Sequence, residues 1–391
     1  QRQRQIRSAV IYAIFVPKVI TPTSKTGEPL ADQVEPITPL LRSRLKRDDD
    51  RLELILITGT GRAIRYSTET TRAQVIEQAK LYRLAASDIE DDLTYQALSK
   101  QLFRWLVKPL EADLQREKIT SLIYCFDEGL RTLPIAAMSD DRGFVIDRYA
   151  VSVIPSMALI NRDIVGLSDR TMLAMGADQF RSLEPLPAVP TELQLVSEQF
   201  WKGNRFLNQA FTVDRLREEK QRLNPGIIHL ATHARFKPGS PDQSYIQFWD
   251  RQVTLAEMKQ FEWSNPPLQL LVLSACDTAI GSREAELGFA GITAAAGVHT
   301  VLGSLWTVSD IGTLALMSEF YIQLQQSPTR AQALQRAQAA LRTGIVRIEN
   351  GVLITSQTQI PLPKSLLQSN QTVDFRHPFY WAAFTLVGNP W

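Results

Sequence analysis

The stretch Leu268-Gln-Leu-Leu-Val-Leu-Ser-Ala-Cys-Asp-Thr278 begins as an apolar run and ends in small and polar residues. Its section from Leu270 to Leu273 predicts a strand that is buried on both faces. A small-residue helix over Gly288 to Ala296 and a second apolar strand from Thr300 to Leu305 are expected to follow. A strand, a crossover helix and a strand form a parallel unit, and such sheets bind ligands at the carboxyl ends of their strands. Cys276 lies at such an end.

A second buried strand is predicted by the run Gly226-Ile-Ile-His-Leu-Ala-Thr-His233, which carries His233 to its own carboxyl end. A cysteine is intrinsically nucleophilic, but at neutral pH it is mostly thiol and needs a base within reach. An imidazole at the same sheet edge supplies that base. The pair predicts covalent catalysis of the kind that a cysteine protease performs, with Cys276 as nucleophile and His233 as general base.

The remaining histidines and cysteines favour structural roles. His229 lies in the middle of its apolar strand and is expected to be a core or orienting residue. Cys125 ends a buried strand without a visible electropositive neighbour, which is typical of a structural thiol. His299 is placed in a turn and His377 at a packing position before a proline. For Cys276 the alternative is a small buried core residue, as most cysteines are.

Composition and charge exclude several classes of protein. The chain has 391 residues, of which 44% are hydrophobic, so it can bury a sizeable core, and two lobes are expected. Its 43 basic and 41 acidic residues leave a net charge of +2, which indicates neither a nucleic-acid nor a membrane-surface partner. Two cysteines are too few for a disulfide framework, so a reducing, cytoplasmic location is predicted. The histidines and cysteines lack zinc-ligand spacing, and neither a metal nor a cofactor is expected.

The two ends of the chain carry little targeting information. No apolar run reaches the length of a transmembrane helix, and the start lacks a signal-peptide core. The sequence begins with Gln1 instead of methionine, so we expect it to be part of a longer polypeptide.

Several expectations concern single elements. Gly59-Thr-Gly61 indicates a hairpin better than a dinucleotide-binding turn, because the third glycine of that fingerprint is missing. One helical stretch is predicted from Tyr95 to Leu114. Thr191 is predicted to N-cap a helix that carries Glu192 in its first turn. The segment from Ile348 to Phe375 is polar and weakly patterned and is interpreted as an insertion.

Four motifs together resemble the CHAT peptidases, caspase-like proteins that are often fused to tetratricopeptide repeats. They are His-Leu-Ala-Thr-His-Ala-Arg-Phe (229–236), Leu-Ser-Ala-Cys-Asp-Thr (273–278), Ser-Leu-Trp-Thr-Val-Ser-Asp (304–310) and His-Pro-Phe-Tyr-Trp-Ala-Ala-Phe (377–384). The turn at 127–134 and the segment 185–192 also look like that family. The resemblance implies an α/β fold with a parallel-rich, caspase-like sheet flanked by helices. It further implies a non-catalytic caspase-like lobe over residues 1–165 and a catalytic lobe over 170–391, with His233 and Cys276 as the catalytic pair.

The oxyanion and substrate-binding residues follow from this picture. The backbone amides of Ala234 and Cys276 are the natural oxyanion donors. In caspase-like folds the strand after the nucleophile helix lines the P1 pocket, which here points to Ser304 and Trp306. The run that ends at Asp310 is similar to that of separase, where the matching aspartate meets a P1 arginine, so cleavage after Arg is predicted.

Each of these pocket assignments has an alternative. Asp310 precedes a helix and could be its N-cap. Asp178, at the end of another predicted strand, is the reserve candidate for the acidic group of the pocket. Trp306 could equally be a core residue.

Two functional hypotheses remain beside simple proteolysis of a protein substrate. One is a catalytically silent scaffold that uses the same fold to bind a protein partner. The other is a protease that a regulatory protein or a repeat domain holds inactive. The presence of both His233 and Cys276 argues against the silent scaffold.

Overall fold

The computed structural model describes residues 7–17, 46–157, 166–167, 169–235, 243–258, 260–261, 263–265, 267–274, 296–366 and 372–391. Within these ranges the strands are β1 (Ser8–Val16), β2 (Arg51–Thr58), β3 (Ala63–Thr71), β4 (Ser121–Phe126), β5 (Ser139–Asp140), β6 (Gly143–Phe144), β7 (Ala150–Val153), β8 (Met172–Gly176), β9 (Gly203–Leu207), β10 (Ile227–Ala231), β11 (Ala234–Arg235), β12 (Tyr245–Gln247), β13 (Gln252–Thr254), β14 (Leu270–Ser274), β15 (Thr300–Ser304), β16 (Arg347–Glu349), β17 (Val352–Ile354), β18 (Gln359–Pro361), β19 (Val373–Asp374) and β20 (Phe384–Gly388).

The α-helices of the same ranges flank the strands. They are α1 (Arg72–Ala86), α2 (Asp92–Leu106), α3 (Glu111–Arg116), α4 (Val189–Gln194), α5 (Val213–Leu223), α6 (Leu255–Met258), α7 (Asp310–Leu324), α8 (Arg330–Arg342) and α9 (Pro378–Trp381). None of these described helices combines the length and the apolarity that a membrane crossing requires.

One 11-stranded sheet runs through the molecule in the order β3-β2-β1-β4-β7-β20-β15-β14-β10-β8-β9. Its central strands are buried along their whole length, as parallel strands covered on both faces must be, and their apolar runs are what the sequence analysis recognised. Strands β9, β8, β10, β14 and β15 are mutually parallel, and so are β1, β4 and β7.

Strand β20 lies between the two parallel sets, and its pairing shows that they run in opposite directions. This last strand pairs antiparallel with β15 over five residue pairs and parallel with β7 through Val387 and Val153. The carboxyl ends of β10 and β14 therefore lie at one edge of the sheet, and the carboxyl end of β4 lies at the opposite edge. Since the sheet is continuous, the division into lobes at residues 1–165 and 170–391 stays a prediction.

Helix α8 reinforces the junction between the two sets of strands. The amide group of Gln335 donates to the carbonyl of Ile146 (2.8 Å), and that of the buried Gln338 donates to the carbonyls of Trp381 (2.8 Å) and Phe384 (3.0 Å). The helix is thus bonded to the segment before β7, to the end of α9 and to the first residue of β20.

Three local expectations need correction, and the hairpin is confirmed. Strands β2 and β3 pair antiparallel across the Gly59–Gly61 turn. The helix predicted over Tyr95 to Leu114 is interrupted after Leu106, because Pro109 cannot donate a helical hydrogen bond. Thr191 is no N-cap: α4 begins two residues earlier, after Ala188, with a proline at its second position.

The third correction concerns the segment from Ile348 to Phe375. Its residues form a four-stranded antiparallel sheet in the order β18-β17-β16-β19. Ile348, Leu353 and Phe375 are fully buried, and α7 holds the turn between β17 and β18 through Glu319. Each strand has only two or three residues, too few for an alternation to be recognised in the sequence.

Candidate active site

The strand register brings two chain segments to one edge of the sheet. β10 and β14 are parallel neighbours, and Ala231 lies opposite Ser274, the last residue of β14. His233 follows Ala231 by two residues, and Cys276 follows Ser274 by two residues. Cys276 itself lies outside the described residues, as does the helix predicted over 288–296 except for its last residue, Ala296.

Cys125 is in a different place altogether. It sits near the carboxyl end of β4, at the opposite edge of the sheet from His233, and is 9% exposed. Its sulfur lies 3.8 Å from the carbonyl oxygen of Pro155. Burial raises the pKa of the Cys125 thiol, although Arg131 pulls it the other way. The buried position agrees with the expected structural thiol, although Arg131 is a positive neighbour that the sequence did not reveal.

His233 lies just past the sheet, half-buried, where the chain turns into β11. Its Nε2 is 2.7 Å from the carbonyl oxygen of Glu184. A carbonyl only accepts, so Nε2 carries the proton and Nδ1 keeps a free lone pair. The ring of Phe180 packs edge-on against the imidazole with centroids 4.7 Å apart. The loop after β8 therefore fixes both the tautomer and the tilt of this ring.

The amide of Ala234 is directed out of its small sheet. In the pairing of β11 with β12, the His233 carbonyl accepts from the Gln247 amide (2.8 Å), so 233 and 247 form a hydrogen-bonded pair. Hydrogen-bonded and non-bonded pairs alternate in an antiparallel ladder, which makes Ala234 and Ile246 a non-bonded pair. The Ala234 N–H thus points away from β12.

Asp310 is the first residue of α7, and the N-cap is Ser309, whose hydroxyl accepts from the Gly312 amide. The alternative of Asp310 as N-cap is therefore wrong. The Asp310 Oδ2 accepts instead from the amide of Ala188 (2.7 Å). Burial raises the pKa of Asp310 to about 6, the Ala188 hydrogen bond lowers it, and the nearby Glu192 and Asp178 carboxylates raise it further.

Asp178, the reserve candidate, stands close enough to Asp310 to affect that pKa. Its amide donates to Asn208 Oδ1 (3.1 Å) and its carboxylate accepts from Asn208 Nδ2 (2.7 Å). Asn208 adopts a left-handed backbone conformation with φ 53°, which asparagine tolerates better than most residues. The two predicted acidic residues are thus brought into one corner.

Ser304 and Trp306 lie deeper. Ser304 ends β15 and is fully buried, and Trp306 is 4% exposed, with its indole N–H donating to the carbonyl of Phe379 (3.1 Å). Both residues are therefore packed in the core in this structure, and their role in a P1 pocket stays a prediction.

A buried polar network connects these elements and was not foreseen. Glu192, 1% exposed, accepts at Oε1 from the Ser274 hydroxyl (2.6 Å) and from His229 Nε2 (2.9 Å). His229 is fully buried, as expected for a core or orienting residue, and its Nδ1 accepts from the Tyr321 hydroxyl (3.0 Å). Burial raises the pKa of Tyr321 well above its usual value, which keeps the phenol a donor.

The signals for this network in the sequence were weak. Glu192 is predicted as an acidic residue in the first turn of a helix and ends the family-like segment 185–192, and Ser274 belongs to the motif 273–278, but neither signal indicates that the two residues meet. Within the described part of the chain, no group of three His, Cys, Asp or Glu side chains is placed to hold a metal ion.

Comparison with known proteins places this site in a family. The model of the CHAT domain matches residues 96–389. The chain belongs to the CHAT-domain family. A comparison with curated protein sequences found no match.

Solved structures resemble the CHAT chain at the level of the fold. It superimposes on Saccharomyces cerevisiae separase, from the separase–securin complex, with a TM-score of 0.57 and 10% identity over 100% of this chain. The chain spans only 30% of the length of that separase chain. The Arg-specific cysteine proteinase gingipain R matches with a TM-score of 0.45 and 9% identity over 80% of this chain and 74% of its own. The predicted α/β class, with a parallel-rich caspase-like sheet between helices, is confirmed.

Proposed function

We propose that this CHAT protein is a cysteine endopeptidase that cleaves a protein substrate through a Cys276 thioester, with His233 as general base. One observation carries the proposal. The parallel register places Ala231 opposite Ser274, so that the imidazole and the thiol each follow the same residue pair by two positions. Strand ends of this kind are where open parallel sheets bind their ligands.

The bonding of His233 suits a general base. With Nε2 donating to the Glu184 carbonyl, the lone pair on Nδ1 is free to take the thiol proton as the sulfur attacks the scissile carbonyl. The Glu184 carbonyl then stabilises the imidazolium, which returns its proton to the leaving amine. Water afterwards hydrolyses the thioester and regenerates the thiol.

The oxyanion of the tetrahedral intermediate requires preorganised donors. We assign them to the backbone amides of Ala234 and Cys276. The Ala234 N–H is directed away from β12 by the ladder alternation and needs no rearrangement to serve, which is what makes such a donor effective.

Selectivity for arginine at P1 is assigned to the acidic corner. Asp310 offers a partly exposed carboxylate, and Asp178 adds a second negative charge nearby. A guanidinium binds a carboxylate through two parallel hydrogen bonds, so arginine is favoured over lysine. Trp306 and Ser304 shape the pocket from below.

A peptide panel with the P1 residue varied tests the proposal. The expected result is cleavage after Arg that is lost in Cys276→Ala and in His233→Ala and is retained in Cys125→Ser, the matched control at the opposite sheet edge. In Asp310→Asn, the preference for Arg is expected to fall while general cleavage persists. If the natively folded protein cleaves no peptide and no protein, the silent scaffold replaces the protease.

Regulation belongs to the same proposal. The separase of the similar structure was crystallised with securin, a protein partner. We propose that a regulatory protein or a tetratricopeptide-repeat domain controls the present chain too. We further propose that the present chain works in the cytoplasm. Its two lobes are proposed to be residues 1–165 and 170–391. Weak activity of this chain alone, raised by adding such a partner, is the expected result.

A further inference from the structure

The short segment from Glu184 to Glu192 makes hydrogen bonds to several described residues of the candidate site. Its first carbonyl accepts from His233, the amide of Ala188 donates to Asp310, and the carboxylate at its end accepts from His229 and Ser274. These contacts reach β10, β14 and α7 within nine residues of chain. Only the carboxylate contact is fully buried.

We propose that Glu192 is a positioning residue that holds the strand ends carrying the catalytic pair in register. The inference rests on the proposed function, because it concerns the geometry of that dyad. Within the described part of the chain, Glu192 makes its hydrogen bonds to His229 and Ser274 and none to the candidate base His233.

The hydrogen-bond pattern explains why the link is rigid. A carboxylate only accepts, so both His229 Nε2 and the Ser274 hydroxyl must donate to Oε1, while the Tyr321 hydroxyl lies 3.0 Å from Nδ1 on the other side of the His229 ring. The Ser274 hydroxyl and the His229 ring therefore each have one orientation that satisfies the carboxylate. A buried charge is tolerated only when it is paired and hydrogen-bonded, which ties the position of Glu192 to both strands.

The location of the link explains why it matters for catalysis. Ser274 is the last described residue of β14 and precedes Cys276 by two residues, and His229 lies in β10, four residues before His233. Glu192 thus joins the two strands shortly before each delivers its reactive group. A displacement of about 1 Å in a reacting group can lower the rate about a hundredfold.

Two substitutions test the link. Ser274→Ala removes one hydroxyl donor, and Glu192→Gln removes the charge but keeps an oxygen that accepts. Ser152→Ala is the matched control, since Ser152 is a fully buried serine in β7 of the same sheet whose hydroxyl has no partner among the described residues. For Ser274→Ala, kcat on a P1-Arg peptide is expected to fall about 10- to 100-fold, with KM within threefold.

The Ser274→Ala, Glu192→Gln double variant gives a sharper criterion. Because both substitutions act on one contact, the double variant is expected to lose about as much kcat as the worse single variant. Ser152→Ala is expected to stay within twofold of the parent protein. The thermal unfolding midpoint of each variant, compared with that of the parent protein, checks that the fold is retained.

Alkylation of Cys276 by iodoacetamide, followed peptide by peptide, supplies a readout that needs no substrate. In the parent protein its rate below pH 8 is expected to depend on His233, and Ser274→Ala is expected to move the pH profile toward that of an ordinary thiol. Suppose that the parent protein is active and that Ser274→Ala keeps both its kcat and its alkylation profile within twofold of the values for Ser152→Ala. The positioning role is then wrong, while the protease proposal stands. If the parent protein shows neither cleavage nor His233-dependent alkylation, the protease proposal fails first, and the positioning role fails with it.

Discussion

When Asp310 is ionised, its burial lowers the stability of the folded protein. It is a largely buried acid whose main partner is one backbone amide, and burial raises its pKa to about 6. Two further carboxylates, Glu192 and Asp178, repel its charge. A residue with a purely structural role at this position would not need to be acidic, because an asparagine could accept the same hydrogen bond.

The first prediction concerns the stability of Asp310→Asn. A raised pKa means that the native state binds the proton more tightly than the unfolded chain, so this carboxyl destabilises the fold increasingly as pH rises from about 4 to about 6. A shift of about two units corresponds to at most about 3 kcal/mol, and the lost helix N-terminal charge interaction offsets about 1 kcal/mol. At pH 7.5, Asp310→Asn is therefore expected to be more stable by about 1–2 kcal/mol in urea unfolding.

The same experiment at low pH is its control. Near pH 3.5 Asp310 is protonated in the native state and mostly protonated in the unfolded chain, so the parent protein and Asp310→Asn are expected to unfold at nearly the same urea concentration. A stabilisation that persists unchanged at this pH would show that the carboxyl charge is not its cause.

The second prediction concerns substrate choice at the same residue. Only the ionised Asp310 can pair with a guanidinium, so the ratio of kcat/KM for P1 Arg to that for P1 norleucine is expected to rise about tenfold between pH 5 and 7, with a midpoint near 6. Taking the ratio cancels the titration of the catalytic pair, which is common to both substrates. In Asp310→Asn the ratio is expected to be flat with pH.

At the scale of elements, the close approach of β8 and β10 depends on Gly176. A Cβ added there would lie 2.2 Å from the Ala231 carbonyl oxygen and 3.0 Å from a methyl group of Val189. The same carbonyl accepts from the Ala177 amide (3.1 Å), so it cannot move away freely. Gly176 therefore packs the start of α4 against the strand that leads to His233.

The third prediction follows for Gly176→Ala. Backbone shifts forced by overpacking cost about 1–3 kcal/mol, and the shift would occur two residues from the candidate base. Lower stability in urea and a loss of kcat are both expected. Gly59→Ala is the matched control, since an added Cβ at Gly59 meets nothing within 4 Å. Equal behaviour of the two variants would contradict the packing argument.

The small sheet of β16–β19 depends on one buried carboxylate of α7. Glu319 is fully buried and accepts from the Ser356 amide (3.0 Å), the Ser356 hydroxyl (2.6 Å) and the side-chain amide of Gln323 (2.8 Å). These bonds hold the turn between β17 and β18 onto the helix.

The fourth prediction separates the contributions of these bonds. Glu319→Ala leaves three donors without their acceptor and is expected to cost about 2–3 kcal/mol, whereas Ser356→Ala removes one hydroxyl bond and is expected to cost about 1 kcal/mol. In the double variant the costs are expected to be less than additive, measured by urea unfolding. Full additivity would mean that the two residues act independently.

At the scale of the whole molecule, β20 closes the sheet between the two parallel sets. It pairs with β15 on one side and with β7 on the other, and α8 donates to the chain at its start. The last strand of the chain thus completes a core to which both halves contribute.

The fifth prediction is that the protein unfolds in a single calorimetric transition, with equal calorimetric and van't Hoff enthalpies. Leu386 is fully buried in β20, so Leu386→Ala leaves a cavity and is expected to lower the free energy of unfolding by about 2–5 kcal/mol. The midpoint of the single transition is expected to fall accordingly. Two separated transitions, with only one shifted by Leu386→Ala, would show that residues 1–165 and 170–391 fold independently.

Much of this architecture could be predicted from the sequence because its central strands are short apolar runs, which have few other ways to be buried. Strands β10 and β14 end close to the points where their apolar runs give way to polar residues, as the sequence predicts. The break in the helix at Pro109 is a local signal that the apolar periodicity on both sides of the proline obscured, whereas the start of α4 before Thr191 depends on packing that the sequence does not display.

By itself the sequence determined the fold class, the parallel strands and the candidate pair His233 and Cys276, since local hydrophobic pattern and residue type fix these. Tertiary structure alone decided what surrounds His233 and the strand end at Ser274. Glu192 meets His229 and Ser274 across 37 and 82 residues of chain, and Ala188 meets Asp310 across 122. No local pattern encodes such contacts, because they exist only once the buried strands and helices have been brought together.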